Sequence, residues 1–307
     1  MEIPLYGCMY ELHAKHHLNK KSQQQSVKGF LLKRDVGVGC VQPWECFGHA
    51  SLQEHWQACK EGRETEYPIL MQALACAKLD SESRHRGDSW WVNRNVPESH
   101  ATITDVDSQG EEAMKRGFYT WKCKVDPASL NQIEMILRKY AEIRLRLDFN
   151  ETGNVLILHE WLQSLSLSHR RRIEFIEDPV SYEEKLWNDL SHAWEIDLAV
   201  DRDYLQYSSD SMCLPIWKPA WSAQLSVSSA KMIVTSAMDH PVGQAWAAFC
   251  AAECKLTNLC GLRTDHLFEI NAFSEVMGEW NPKWPMIPGM GMGFDQQLEK
   301  LAWTRLR

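Results

Sequence analysis

The chain has 307 residues, 44% of them hydrophobic, and a formal net charge of −8 from 33 basic and 41 acidic side chains. That length suits two domains, or one barrel with a smaller module. The acidic balance, with no long basic run, disfavours nucleic-acid binding, and no apolar run approaches the roughly 20 residues of a membrane span. Without a secretory-leader pattern, a cytoplasmic protein acting on a small molecule is expected; nothing in the sequence sets its oligomeric state. The ten cysteines include no Cys-x-x-Cys pair, so free, mostly buried thiols are expected.

In chain order, residues 3–10, 29–33 and 36–41 read as strands, with a polar loop at 20–26 between the first two. Helical patterns follow at 52–62 and 68–81, then a polar, poorly periodic stretch at 81–87. Strands first and helices after is an α+β pattern. From about residue 101 the character changes. Strands at 101–106, 118–125, 144–150 and 173–179 alternate with helices at 108–116, 127–140, 159–167 and 182–193. Short apolar segments at 196–200, 212–217 and 231–236 and an apolar helix at 245–259 complete the pattern. Repeated strand–helix units predict a parallel sheet, and this many predict a (β/α) barrel. A doubly wound sheet is the alternative, but no glycine-rich phosphate loop follows the first strand. The last barrel strand, near 257–270, is poorly defined.

The polar residues at the strand ends carry the chemistry. Lys122 and Lys124 alternate in Trp-Lys-Cys-Lys-Val, so both face one side. Asp148 follows Lys124 by 24 residues, Glu177 follows Asp148 by 29, Asp201 follows by 24 more, and Lys218 by a further 17. Most of these intervals are about one strand–helix unit long. Ionisable groups therefore recur at the carboxyl ends of successive strands, the face where barrel active sites form. Carboxylates at neighbouring strand ends repel unless a cation sits between them, which points to a hard divalent metal. Each acid alone could equally cap the helix that follows it.

Lys-x-Lys, Asp-x-Asn, Glu-Asp-Pro, a downstream Asp and a further Lys-Pro together resemble the muconate-lactonizing subgroup of the enolase superfamily. Within it, Arg-Leu-Asp at 146–148, Ile-Glu-Asp-Pro at 176–179 and Lys-Pro at 218–219 are most similar to the o-succinylbenzoate synthase family. The resemblance implies an α/β fold: an N-terminal α+β capping domain at 1–97, then a (β/α) barrel of enolase-superfamily type at 98–307. The C-terminal segment could pack back on the cap. It also implies one Mg²⁺, for which Mn²⁺ could substitute, on Asp148, Glu177 and Asp201, supported by Asn150. Lys124 would be the acid/base, with Lys122 beside it holding its pKa down. Lys218 would stand across the substrate from it, and Arg146 would place it. The family reaction is the syn-dehydration of 2-succinyl-6-hydroxy-2,4-cyclohexadiene-1-carboxylate to o-succinylbenzoate, in menaquinone biosynthesis. Racemisation of N-acylamino acids, epimerisation of dipeptides, or a catalytically silent binding protein are the alternatives.

Two departures from the family pattern stand out. Asp201 precedes an arginine rather than a glutamate, so Asp203 competes for the third metal position. The segment 235–243, with Ser236 and Asp239, resembles the family's serine-rich substrate-carboxylate loop but carries fewer serines. The family's capping loop corresponds to residues 13–25.

Overall fold

The computed structural model describes residues 3–16, 18, 25–201, 213–223 and 232–307; Asp203 and most of the 13–25 loop lie outside them. The described residues form two compact units. One holds residues up to Glu98 and the segments from Lys218 and Val234; the other holds Ser99–Trp217 and Ile233.

The first unit opens with an antiparallel meander, β1 (Leu5–His13), β2 (Ser26–Arg34) and β3 (Gly37–Val41). The β2–β3 turn puts Asp35 at φ +57°, a conformation that the short polar Asp tolerates. Helix α1 (Leu52–Glu61) begins on a Ser51/Glu54 capping box and stops at Gly62, φ +75°. Helix α2 (Pro68–Arg86) starts with proline in its first turn and ends at Gly87, φ +72°.

Helix α2 is five residues longer than the periodicity predicts, because its last polar residues have buried partners. Asp80 accepts from the Val38 and Met292 backbone N–H groups and from Arg84 Nε. Ser81 donates to Asp35, and Ser83 Oγ accepts from the Trp90 indole. Polarity there marks bonding rather than a loop.

The second unit is built from strand–helix repeats. In order these are β4 (Ala101–Ile103), α3 (Val106–Lys115), β5 (Thr120–Lys124), α4 (Leu130–Lys139) and β6 (Arg144–Asp148). They continue with α5 (Val155–Ser164), α6 (Leu167–Arg170), β7 (Ile173–Glu177), α7 (Glu184–Trp194), β8 (Asp197–Val200) and β9 (Leu214–Trp217). With β10 (Ile233–Val234) they make a seven-stranded sheet in plain sequence order, β4 to β10, and each pair from β4 to β9 is parallel. A doubly wound sheet needs a point where strand order reverses; this sheet has none, and the barrel-type reading holds. Phe175, Ala199, Ile216 and Ile233, one from each of β7 to β10, pack together as an inner apolar layer.

The chain ends with α8 (Pro241–Glu253), α9 (Ala272–Met277), α10 (Asp295–Glu299) and β11 (Thr304–Arg305), which pairs with β1. Helix α8 starts and stops earlier than the predicted 245–259. Pro241 and the His240 cap open it, and Lys255 at φ +52° follows its end. Within 257–270 the described residues form no strand; Gly261 makes only a single parallel bridge, to Thr235. No helix among the described residues is long and apolar enough to cross a membrane.

Candidate active site and metal centre

Strand register assembles the site in the second unit. Lys122 pairs with Arg146, Lys124 with Asp148, and Asp148 with Glu177. Alternation then puts Lys122, Lys124, Arg146, Asp148 and Glu177 on one face, with the two acids at the carboxyl ends of adjacent parallel strands. Neither acid caps a helix. Asn154 caps α5, and α7 follows Glu183 with no side-chain cap. The capping alternative is thus excluded for Asp148 and Glu177.

Lys122 Nζ lies 2.6 Å from Glu177 Oε1 and 3.1 Å from Asp148 Oδ2. Burial opposes its charge, but Asp148, Glu177 and Asp201 outweigh it and hold the ammonium well above the usual lysine range. Lys122 is therefore a buried counter-ion to the acids as well as the neighbour of Lys124. Asn150, at φ +47°, donates its side-chain amide to Asp148 Oδ1 at 2.8 Å and its backbone N–H to the same oxygen at 3.2 Å.

The sequence reading missed Asp178. Its carboxylate, with those of Glu177 and Asp201, forms a group whose ligand atoms all lie within 4.8 Å of one another. Asp178 is 3% exposed, and its Oδ1 accepts the Asp201 N–H at 3.0 Å. Burial first, then the charges of Asp201 and Glu177, pushes its carboxyl well above the usual range. The signal was present in Glu-Asp-Pro, two adjacent acids at one strand end, but strict alternation sends the second to the other face. A left-handed φ of +42° turns the chain at Asp178 instead.

Arg146 is buried and donates through Nε to Glu174 Oε2 at 2.7 Å and through NH1 to His100 Nδ1 at 2.9 Å, with its guanidinium over the Phe175 ring. Glu174 can reach it because the register jumps there: Leu145 pairs with Ile173 and Arg146 with Phe175, which leaves Glu174 as the extra residue of a bulge. Burial, then the charges of Arg146 and Lys122, holds His100 well below the usual histidine range, so it stays neutral and can accept from Arg146. His100 is a second residue that the sequence did not single out.

The remaining candidates lie in the first unit. Lys218 directly follows β9, with its ammonium 4.6 Å from the centre of the Trp221 ring. Ser236 exchanges a 3.0 Å hydroxyl hydrogen bond with Thr264, and its backbone N–H is taken by Gly261 O. Asp239 is 1% exposed, and neither carboxylate oxygen has a hydrogen-bond partner among the described residues. Burial pushes its pKa up to about 7.

Residues 5–83 match the family described as O-succinylbenzoate synthase, N-terminal domain. Over 97% of both chains, the protein is 28% identical to an o-succinylbenzoate synthase of Bdellovibrio bacteriovorus. Its fold matches a dipeptide epimerase from Enterococcus faecalis, solved with Mg and L-Leu-L-Tyr, at a TM-score of 0.77, with 14% identity over 95% of this chain and 99% of that one. It also matches the o-succinylbenzoate synthase of Thermosynechococcus elongatus, solved with Mg in the active site, at a TM-score of 0.66, with 17% identity over 87% and 95% of the two chains. The chain has the fold of enolase-superfamily enzymes. Its resemblance to the o-succinylbenzoate synthases and its capping-domain-plus-barrel fold are both borne out.

A divalent metal such as Mg²⁺ fits this site. Glu177, Asp178 and Asp201 converge, and Asp148 shares the Lys122 ammonium with Glu177; three of these four acids are buried and Asp201 is half-buried. Burial, and after it the charges of Asp201 and Glu177, raises the Asp178 carboxyl. All-oxygen, anionic donors suit a hard cation.

Proposed function

We propose that this enzyme dehydrates 2-succinyl-6-hydroxy-2,4-cyclohexadiene-1-carboxylate to o-succinylbenzoate, a step of menaquinone biosynthesis. One observation carries the reading: Lys124 lies in register with Asp148, so a lysine stands beside the acid cluster at the carboxyl ends of β5, β6 and β7. Asp148, Glu177 and Asp201 would hold one divalent ion, with Asn150 fixing Asp148. When bound, Mg²⁺ (or Mn²⁺ in its place) supplies Lewis-acid stabilisation of the charge that builds on the substrate carboxylate.

Lys124 in its neutral form takes the proton from the carbon bearing the carboxylate. The C–H electron pair moves into the ring as the C–O bond breaks, and Lys124 returns its proton to the departing hydroxyl, which leaves as water. The ring becomes aromatic, and no oxidant is needed. Lys122 stays charged against the acids and leaves proton transfer to Lys124. Lys218 acts as a fixed cation toward the developing anion. Arg146, bonded to Glu174 and His100, would tie β6 to β7 and to the chain just before β4, beside the strand that carries Lys124. Ser236 and Asp239 belong to the segment that resembles the family's substrate-carboxylate loop.

The test is direct. Purified protein with substrate and Mg²⁺ is expected to consume the diene absorbance, and EDTA to stop it. No loss in a protein that binds Mg²⁺ would overturn the dehydration. Turnover of N-acylamino acids or dipeptides would then assign the racemase or epimerase reaction, and inertness toward all of them a binding role.

A further inference from the structure

The geometry points to Asp178 as a positioning residue that sets Asp201 at the metal centre. The inference rests on the divalent-metal reading of the site and not on which reaction is catalysed.

Asp178 is a junction between three strand ends. Its backbone N–H donates to Ala199 O in β8 at 3.0 Å, and its carbonyl accepts from Glu151 N, just past β6, at 2.7 Å. Its side chain adds the third tie, accepting the Asp201 N–H at 3.0 Å. The backbone ties need no side chain. The side-chain bond holds the residue that leaves β8, and that residue carries the third predicted ligand.

The left-handed backbone at Asp178, φ +42°, brings its carboxylate to the side of Glu177 and Asp201. Asp tolerates that conformation better than most residues. At 3% exposure, water cannot readily replace Oδ1 as acceptor for Asp201. Without Asp178 the Asp201 backbone would lose this anchor, which helps to set the direction of its carboxylate. Asn150 treats Asp148 in a parallel way, so each end of the cluster has its own holder.

The readout is Mg²⁺ and Mn²⁺ affinity of the full chain, measured by calorimetry, independent of turnover. Asp178→Ala is expected to weaken binding about ten- to a hundredfold, the usual effect of removing a residue that orients a metal ligand. Asp178→Asn keeps an acceptor for the Asp201 N–H and is expected to stay within a few-fold of wild type. Asp201→Asn combined with Asp178→Ala is expected to bind no more weakly than Asp201→Asn alone, because both changes act through one residue. If Asp178→Ala fails to fold, Asp178→Gly removes the same side chain and suits the positive φ.

Unchanged affinity on removal of the side chain would overturn the inference. So would equal losses in Asp178→Asn and Asp178→Ala, which would make Asp178 itself a ligand, and so would additive losses in the double variant. A wild type that binds neither ion would remove the metal reading and this inference with it. Metal binding without dehydration would remove only the proposed reaction.

Discussion

Lys122 Nζ sits 2.6 Å from Glu177 Oε1, and both side chains are buried, at 10% and 1% exposure. Removing one partner of a buried ion pair leaves the other as an uncompensated charge, at a cost of about 3–5 kcal/mol. Lys122→Met is therefore expected to destabilise the metal-free protein by about that amount. A divalent cation would replace the lost charge, so added Mg²⁺ should raise the stability of Lys122→Met more than that of wild type. Urea titrations with and without Mg²⁺ measure both. An equal gain from Mg²⁺ in the two proteins would show that Lys122 and the ion do not share the same acids.

Lys124→Ala tests the proposed base directly. Its turnover is expected to fall by at least the roughly 10²–10⁴-fold contributed by a positioned acid/base, with metal affinity close to wild type. Activity near the wild-type level would end the assignment.

The sequence made most of this site legible because parallel strands obey a two-residue period. Lys122, Lys124, Arg146, Asp148 and Glu177 share a face by counting alone, and strand register aligns them. Asp178 and His100 were not legible, for different reasons. Asp178 joins the acids only because its backbone leaves the extended conformation, which no periodicity records. His100 precedes β4 and meets Arg146 across 46 positions of chain, a tertiary contact without a local pattern. The end of α2 was misread for a related reason: Asp80, Ser81 and Ser83 are polar but buried, and their partners lie on β3, in the β2–β3 turn and in distant loops.

Asp239 gives a pH dependence with a definite sign. Burial raises its folded-state pKa from 3.8 to about 7, so the folded protein retains a proton that the unfolded chain releases. The contribution of Asp239 to stability is therefore greatest below about pH 4, falls as pH rises toward 7, and levels off above. At about 1.4 kcal/mol per unit, the loss between pH 5 and pH 7 is about 2–3 kcal/mol. The surrounding Tyr10 and Cys40 do not offset it, since both are themselves pushed up, mainly by burial, and stay neutral. Asp239→Asn removes the titration. Chemical denaturation at pH 5 and pH 7.5 should therefore show the stability difference between variant and wild type shifting toward the variant as pH rises. A difference that does not change with pH would mean that the Asp239 carboxyl titrates in its usual range.

Gly39 is the closing test of how the first unit packs. A Cβ there would lie 2.0 Å from Ala73 O and 2.7 Å from Ala73 C, both backbone atoms of α2. Gly37 meets the same obstacle one turn along, 1.9 Å from Ala77 O. Glycine therefore serves here for close approach rather than for a positive φ, and it lets α2 lie directly on β3. A side-chain contact could relax by rotating, but this one requires helix and strand to separate. Overpacking of a tight core costs about 1–3 kcal/mol, occasionally more. Gly39→Ala is expected at or above the top of that range, because backbone must move. An exposed glycine gives the control: a Cβ at Gly48 meets nothing within 4 Å, although its φ of +86° strains any side chain. Gly48→Ala is therefore expected to cost about 1 kcal/mol from backbone strain alone. Equal losses in urea unfolding for Gly39→Ala and Gly48→Ala would show that the helix has room to shift.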